Sequence, residues 1–248
     1  TAQRLYEGID IGGEAVGLIT YMRTDGVQMS QEAVTTARQF ISKDYGDAFV
    51  PDKPRIYKSK AKNAQEAHEA VRPTDITRSP KTLKPYLDGD QERLYDLIWK
   101  RSIASQMASA ELDQTSIIIE SSDNAITLRS SGSIIAFEGF LKVYQEDQDD
   151  LGQDTDNEEG KLLPPMTKND NLKTSNITPE QHFTQPPPRF TEASLVKRME
   201  ELGIGRPSTY ASIIGTIVDR GYSTLLGNAL TPSFTAFAVT ALLEEHFP

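Results

Sequence analysis

Apolar residues recur at helical spacing in several stretches of the chain and at strand spacing in others. Val34, Ala37, Phe40 and Ile41 form one stripe, which predicts a helix capped by Ser30 and running to about Tyr45. A second helix is expected from about Gln91 to Met107. Thr191 caps TEASLVKRMEEL, with Leu195, Val196, Met199 and Leu202 on one side and Gly203 as the stop. After a GIGRP turn, Ser208 is expected to cap a helix carrying Ile213, Ile214, Ile217 and Val218 and ending at Gly221; another helix starts near Ser233. A shorter one, NAQEAHEAVRP, has a capping-box-like start at Asn63–Glu66 and a stop at Pro73, which puts His68 and Arg72 on one face.

The strand patterns are as follows. Beyond a turn at GIDIGG, the run GLITYMRTDG (17–26) alternates, so Ile19, Tyr21 and Arg23 are expected on one side and Leu18, Thr20 and Met22 on the other. TSIIIES, NAITLRSS and SIIAFEGFLKVY, separated by Asp123-Asn124 and by Gly132, predict a small antiparallel sheet. A short polar strand is expected at 171–177, and GYSTLLGNALT reads as a hairpin around Gly227-Asn228. The whole is an α+β multidomain chain: a mixed unit over 1–107, an antiparallel unit over 108–188 and a helical unit over 189–248. Helix, tight turn, helix, hairpin in the last unit is a winged helix-turn-helix pattern.

Composition narrows the classes. No apolar run approaches the roughly 18 residues of a membrane span, and zero cysteines exclude disulfides and thiolate zinc sites. His68, His182 and His246 are far apart in sequence, which argues against a histidine metal site. The start, TAQRLYEG, has neither Met nor a secretory pattern, so a cytoplasmic fragment of a longer protein is expected. A net charge of -10 argues at first against nucleic acid. Its distribution reverses that argument. Residues 1–107 hold 16 Lys and Arg against 15 Asp and Glu, whereas 108–188 hold 5 against 15. Much of the excess lies in EDQDDLGQDTDNEEG (146–160), read as a solvated, mobile insertion that leaves the flanks free to be locally basic.

Three groupings could carry chemistry. Tyr21 with Arg23 offers a phenol (pKa about 10) and a cation that eases its ionisation and holds a phosphate oxygen; the alternative is a core tyrosine beside a surface arginine. His68 and Arg72, preceded by alternating Lys58, Lys60 and Lys62, offer donors to a phosphate backbone, or simply a polar helix face and a charged edge. Arg206, Ser208 and Thr209 sit where a helix start exposes unpaired N–H groups, with Arg220 at the far end of that helix. A capped helix start by itself is commonplace.

GLITYMRTD, AQEAHEAVRPTD and PPPRFTEASLVKRMEELGIGRPSTYASIIGTIVDRGY together resemble the motifs of the bacterial type IA DNA topoisomerases, in order and approximate separation, over essentially the whole chain. The resemblance implies that Tyr21 attacks a single-strand phosphodiester to give a 5′-phosphotyrosine, that Arg23 assists and contacts DNA, and that Arg220 contacts DNA. His68, Arg206 and Thr209 match positions that touch single-stranded DNA. It implies a winged-helix-like tyrosine domain, a β arch and a partial winged-helix domain over the three units. The partners implied are single-stranded and negatively supercoiled DNA, without membrane, for a monomer associated with the nucleoid. It also implies Mg²⁺ in the intact enzyme, bound by a Toprim domain whose acidic cluster has no counterpart here, so the chain alone is expected to be inactive. Gly26 stands where a serine usually follows the Met-Arg-Thr-Asp run, removing one hydroxyl. The competing reading is a winged-helix DNA-binding module without covalent chemistry.

Overall fold

The computed structural model describes residues 1–57, 68–145 and 166–247 apart from 177, 180, 182 and 185. The acidic segment 146–160, Lys58, Lys60, Lys62, the expected helix start at 63–66 and His182 lie outside the described residues.

The chain opens with α1 (Ala2–Glu7), then a small antiparallel hairpin of β1 (Ile9–Ile11) and β2 (Glu14–Val16), Ile9 facing Val16. Its turn uses Gly12 and Gly13 at φ 68° and 93°, left-handed conformations that glycine adopts without penalty. Helix α2 (Gln31–Tyr45) starts where expected, with the Ser30 hydroxyl accepting from the Ala33 N–H. A one-turn α3 (Pro80–Leu83) precedes α4 (Gly89–Ser105), which begins with a capping box: Asp88 accepts from the Gln91 N–H and the Gln91 side chain answers on the Asp88 N–H. These elements enclose one core in which Leu5, Leu18, Ile19, Ile41, Tyr95, Trp99, Ile103 and Met107 are buried together. Each such aliphatic or aromatic side chain contributes roughly 1.5–3 kcal/mol by leaving water. Trp99 has its polar end satisfied, since its indole N–H donates to the Ile76 carbonyl at 2.8 Å.

Two expectations fail in this unit. The run around Tyr21 forms no strand; among the described residues its ladder contact is an isolated bridge between Ile19 and Pro73. Leu18 and Ile19 are both buried, so alternation is lost, and the chain bends after Tyr21, where the Arg23 N–H reaches the Tyr21 carbonyl. Residues 68–73 are likewise not helical. They run alongside 17–20 and 28, with Thr20 N–H on the Arg72 carbonyl, Thr74 N–H on the Leu18 carbonyl and Ala70 N–H on the Gln28 carbonyl. Pairing across some fifty residues of sequence has overridden the local helical pattern.

The middle of the chain is a two-stranded antiparallel ribbon, β3 (Glu111–Glu120) and β4 (Thr127–Phe137). Gly132 does not separate two strands as expected; it lies inside β4, opposite Thr115. The root of the ribbon is fastened to the core: Ala108 N–H donates to the Phe49 carbonyl and Phe140 N–H to the Ala108 carbonyl, while the Phe49 and Phe137 rings lie 4.9 Å apart. Residues 171–176 form no strand, contrary to expectation.

The last part comprises α5 (Glu192–Leu202), α6 (Tyr210–Asp219), the hairpin β5 (Ser223–Leu226) and β6 (Ala229–Pro232), and α7 (Phe234–His246). Thr191 caps α5 and Gly203 ends it at φ 73°, as expected. Met199 is the buried member of the apolar stripe and Leu202 is exposed. Gly227 takes φ 60° at the hairpin turn. Ser233 caps α7 through the Ala236 N–H.

Candidate functional site

Tyr21 lies on the bend that follows the buried Leu18-Ile19 pair, and its side chain is 50% exposed. Its ring meets Tyr6 from α1 edge-to-face (centroids 5.4 Å apart) and lies beside the His68 imidazole at 5.8 Å. Thr20 holds the two chain segments together here, accepting from the Arg72 N–H and donating through its hydroxyl to the Ala70 carbonyl at 2.7 Å. His68 and Tyr21 therefore meet through the pairing of two extended segments, whereas a helix face had been expected to present His68.

Arg23 reaches the same place. Its Nε donates to both carboxylate oxygens of Asp25, at 2.8 and 3.0 Å, and Nη1 lies 3.4 Å from Nε2 of His68. Asp25 is only 5% exposed and Arg23 23%. A guanidinium oriented by a buried carboxylate, an imidazole and an exposed phenol thus converge. Asp25 and Tyr6 carried no role in the sequence reading. The signal for Asp25 was its position two residues beyond Arg23 before a glycine, where a turn folds the carboxylate back on the cation.

Gly26 has a steric cause. A Cβ placed there would lie 2.6 Å from the carbonyl oxygen of His68 and 2.9 Å from that of Glu69. The missing side chain lets the 68–70 segment close on the Arg23–Asp25 turn, a larger effect than loss of one hydroxyl.

Arg72 points elsewhere. Its Nε and Nη2 donate to the two Glu69 oxygens at 2.8 and 3.0 Å and its Nη1 to the Pro73 carbonyl. Glu69 also accepts from the Ser30 N–H at 2.6 Å. Burial is the largest effect on Glu69 and would raise its pKa, but the Arg72 and Ser30 hydrogen bonds together with the Arg72 charge outweigh it and hold the carboxyl below its ordinary range.

At α6, Ser208 is not the cap. Thr209 occupies that position without capping through its side chain; its hydroxyl instead accepts from the Arg206 N–H at 2.9 Å and donates to the Arg206 carbonyl. Pro207 and Ser208 form the intervening turn. Arg206, Ser208, Thr209 and Arg220 are all exposed. Burial, and after it the Glu200 charge, push the Tyr210 phenol upward against the opposing pull of Arg206.

Among the described residues no group of three or more His, Asp or Glu side chains is placed to hold a metal ion. No helix among them is long and apolar enough to cross a membrane.

Comparison with known proteins gives a consistent result. A family model described as DNA topoisomerase matches residues 1–248. The chain is 54% identical to DNA topoisomerase 1 of Rickettsia bellii and 50% identical to that of Xylella fastidiosa, in each case over 99% of this chain and 30% of the relative. The structure of full-length topoisomerase I from Thermotoga maritima superposes with a TM-score of 0.76 at 33% identity, covering 99% of this chain and 38% of that one. The chain spans about 30% of the length of these curated relatives. With all 248 residues matched by the family model, the chain belongs to the DNA topoisomerase family that includes the bacterial topoisomerase I enzymes.

Proposed function

We propose that this chain is the nucleophile-bearing part of a type IA topoisomerase that cuts and rejoins single-stranded DNA. The observation that carries the reading is the convergence of exposed Tyr21 with His68 and the Asp25-oriented Arg23. Tyr21 gives up its phenolic proton and its oxygen bonds to phosphorus; the bond from phosphorus to the 3′ oxygen breaks and that oxygen takes up a proton. The product is a 5′-phosphotyrosine and a free 3′ hydroxyl. The ester retains the energy of the broken bond, so attack by the 3′ hydroxyl reseals the strand without ATP, and negative supercoiling drives relaxation. Arg23 supplies positive charge where the phosphoryl oxygens become more negative, and a preoriented cation reorganises little as that happens. His68 lies beside both groups and is positioned to contact the same phosphate.

In this reading residues 1–107 form the tyrosine domain, 108–188 the β arch and 189–248 part of a winged-helix domain. Arg206, Ser208, Thr209 and Arg220 contact the single strand, and Arg72 acts through Glu69 by fixing the His68 segment. Mg²⁺ belongs to a Toprim domain outside these residues, and the chain alone does not relax plasmid. The protein works as a monomer at the nucleoid.

The deciding experiment is a gel assay for a covalent protein–DNA adduct, using this chain alone and supplemented with the Toprim domain of a relative. The supplemented wild type should form adduct and Tyr21→Phe should not. The Tyr21 hydroxyl has no hydrogen-bond partner among the described residues, so its removal should change stability by less than about 0.5 kcal/mol. Adduct formed by Tyr21→Phe would overturn the assignment. Single-strand binding without adduct in the supplemented wild type would favour the non-catalytic binding module.

A further inference from the structure

A cavity of about 820 Å³ lies between one face of α2, the extended residues 54–57 and residues 27–29. That is within the roughly 300–1,000 Å³ of small-ligand sites. None of Tyr21, Arg23 and His68 lines it.

Its charge is one-sided. Arg38, Lys43 and Arg55 line it, and among the described residues no aspartate or glutamate does. Among the described residues the Arg55 guanidinium donates to neutral acceptors, the Met107 carbonyl at 2.9 Å and the Ser109 hydroxyl at 2.7 Å. Arg38 donates through Nη2 to the Pro51 carbonyl at 2.7 Å, while its Nη1 is shut off from solvent and meets no acceptor among the described residues. Leaving a buried donor of a charged group unmatched is costly, so a shift of the Arg38 side chain that opened Nη1 to an anion in the cavity would be favoured.

The rest of the lining is apolar and partly aromatic. Ile56 is 84% exposed and Tyr57 44%, with Met29 beside them in the wall. The Tyr57 hydroxyl donates to the Ser105 carbonyl at 2.9 Å, which fixes the ring as a platform. A fixed aromatic ring beside a bare aliphatic is the kind of surface on which a base stacks.

We infer that this cavity holds one nucleotide of the single DNA strand, its phosphate taken by Arg38 and Lys43 and its base by Tyr57 and Ile56. This rests on the function proposed above, which supplies the strand. Chain continuity links the two places. Residues 27–29 follow directly from the Arg23–Gly26 turn, and the Gln28 carbonyl accepts from Ala70, two residues from His68.

The test titrates the 248-residue chain with a thymidine pentanucleotide, an abasic strand of equal length and inorganic phosphate. Arg38→Gln should weaken the pentanucleotide by about tenfold or more, the scale of one hydrogen bond to a charged group. Arg93→Gln, which alters an exposed arginine paired with Asp90 on α4, should leave it unchanged. An unaltered affinity for Arg38→Gln, or equal affinities for the pentanucleotide and the abasic strand or phosphate, would overturn the inference. Photocrosslinking of the unmodified chain to a 5-iodouracil strand keeps the question independent of any folding defect in Arg38→Gln. The crosslink should map to Tyr57, and crosslinks confined to other segments count against the cavity. In the assay supplemented with the Toprim domain, adduct formation by a chain whose affinity ignores Arg38 would refute the cavity alone; a Tyr57 crosslink with no adduct in that supplemented assay would support the cavity and refute the nucleophile.

Discussion

Replacing Arg23 by alanine separates its structural duty from its chemical one. Asp25 is 5% exposed and both of its oxygens lie within 3.0 Å of the Arg23 Nε. Removing one partner of a fully buried ion pair costs about 3–5 kcal/mol, mostly because the other charge stays buried without it. Arg23 is 23% exposed, so solvent screens part of the attraction and the lower end, about 3 kcal/mol, applies. That corresponds to roughly a 150-fold fall in the folding equilibrium constant. Urea unfolding followed by Trp99 fluorescence measures it, because the single tryptophan lies in the same core as Leu18 and Ile19, just ahead of Tyr21. Arg23→Ala combined with Asp25→Asn should recover at least half of the loss, since the amide carries no charge to strand. Arg23→Lys should lose less than half as much stability as Arg23→Ala, yet should slow adduct formation clearly, because the planar fork is gone while the cation remains. An Arg23→Ala protein within about 1 kcal/mol of wild type, or a double variant no more stable than the single one, would refute the clamp.

Gly26→Ala should destabilise the same core by about 1–3 kcal/mol, the usual penalty for forcing atoms into an occupied site; thermal melts indistinguishable from wild type would show that the 68–70 segment yields freely. Glu69 has a lowered folded-state pKa, so its contribution is complete above its unfolded value and is lost as pH falls through the lower folded one. Glu69→Gln should therefore flatten the acid limb of a melting-temperature profile taken below about pH 4.5; an unchanged limb would contradict this assignment. Binding of single-stranded DNA should weaken as salt rises, through counterion release, and a salt-independent affinity would argue against phosphate contacts.

The parts legible in the sequence were those set by neighbours along the chain. Ser30, Thr191 and Ser233 cap the helices they precede because a hydroxyl needs only an N–H three residues away. The α2 stripe put Ala37 and Ile41 into the core, and Gly227 turned its hairpin. What failed depended on distant partners. Residues 68–73 have a helical pattern but pair with 17–20 and 28, and the Tyr21 run bends where Asp25 draws back Arg23. The cap of α6 fell one residue later than expected, on Thr209, whose hydroxyl is closed onto Arg206. The candidate nucleophile and cation were visible as a motif, but their convergence with His68 was not, because it comes from pairing across 45 residues.

The ribbon of β3 and β4 leaves the core at Ala108 and comes back at Gly139, where the chain crosses so close to Ser109 that only glycine fits. An excursion that departs and returns through one fastening has no say in how the core is built. Its length is then a free parameter of the chain. Adding two residues to each strand would carry the tip outward by about 6.6 Å, at roughly 3.3 Å per residue, and keep every side chain on its present face. Reach could therefore be adjusted in steps of two residues, by paired insertions, while Phe49, Phe137 and the fastening at Ala108 stay where they are.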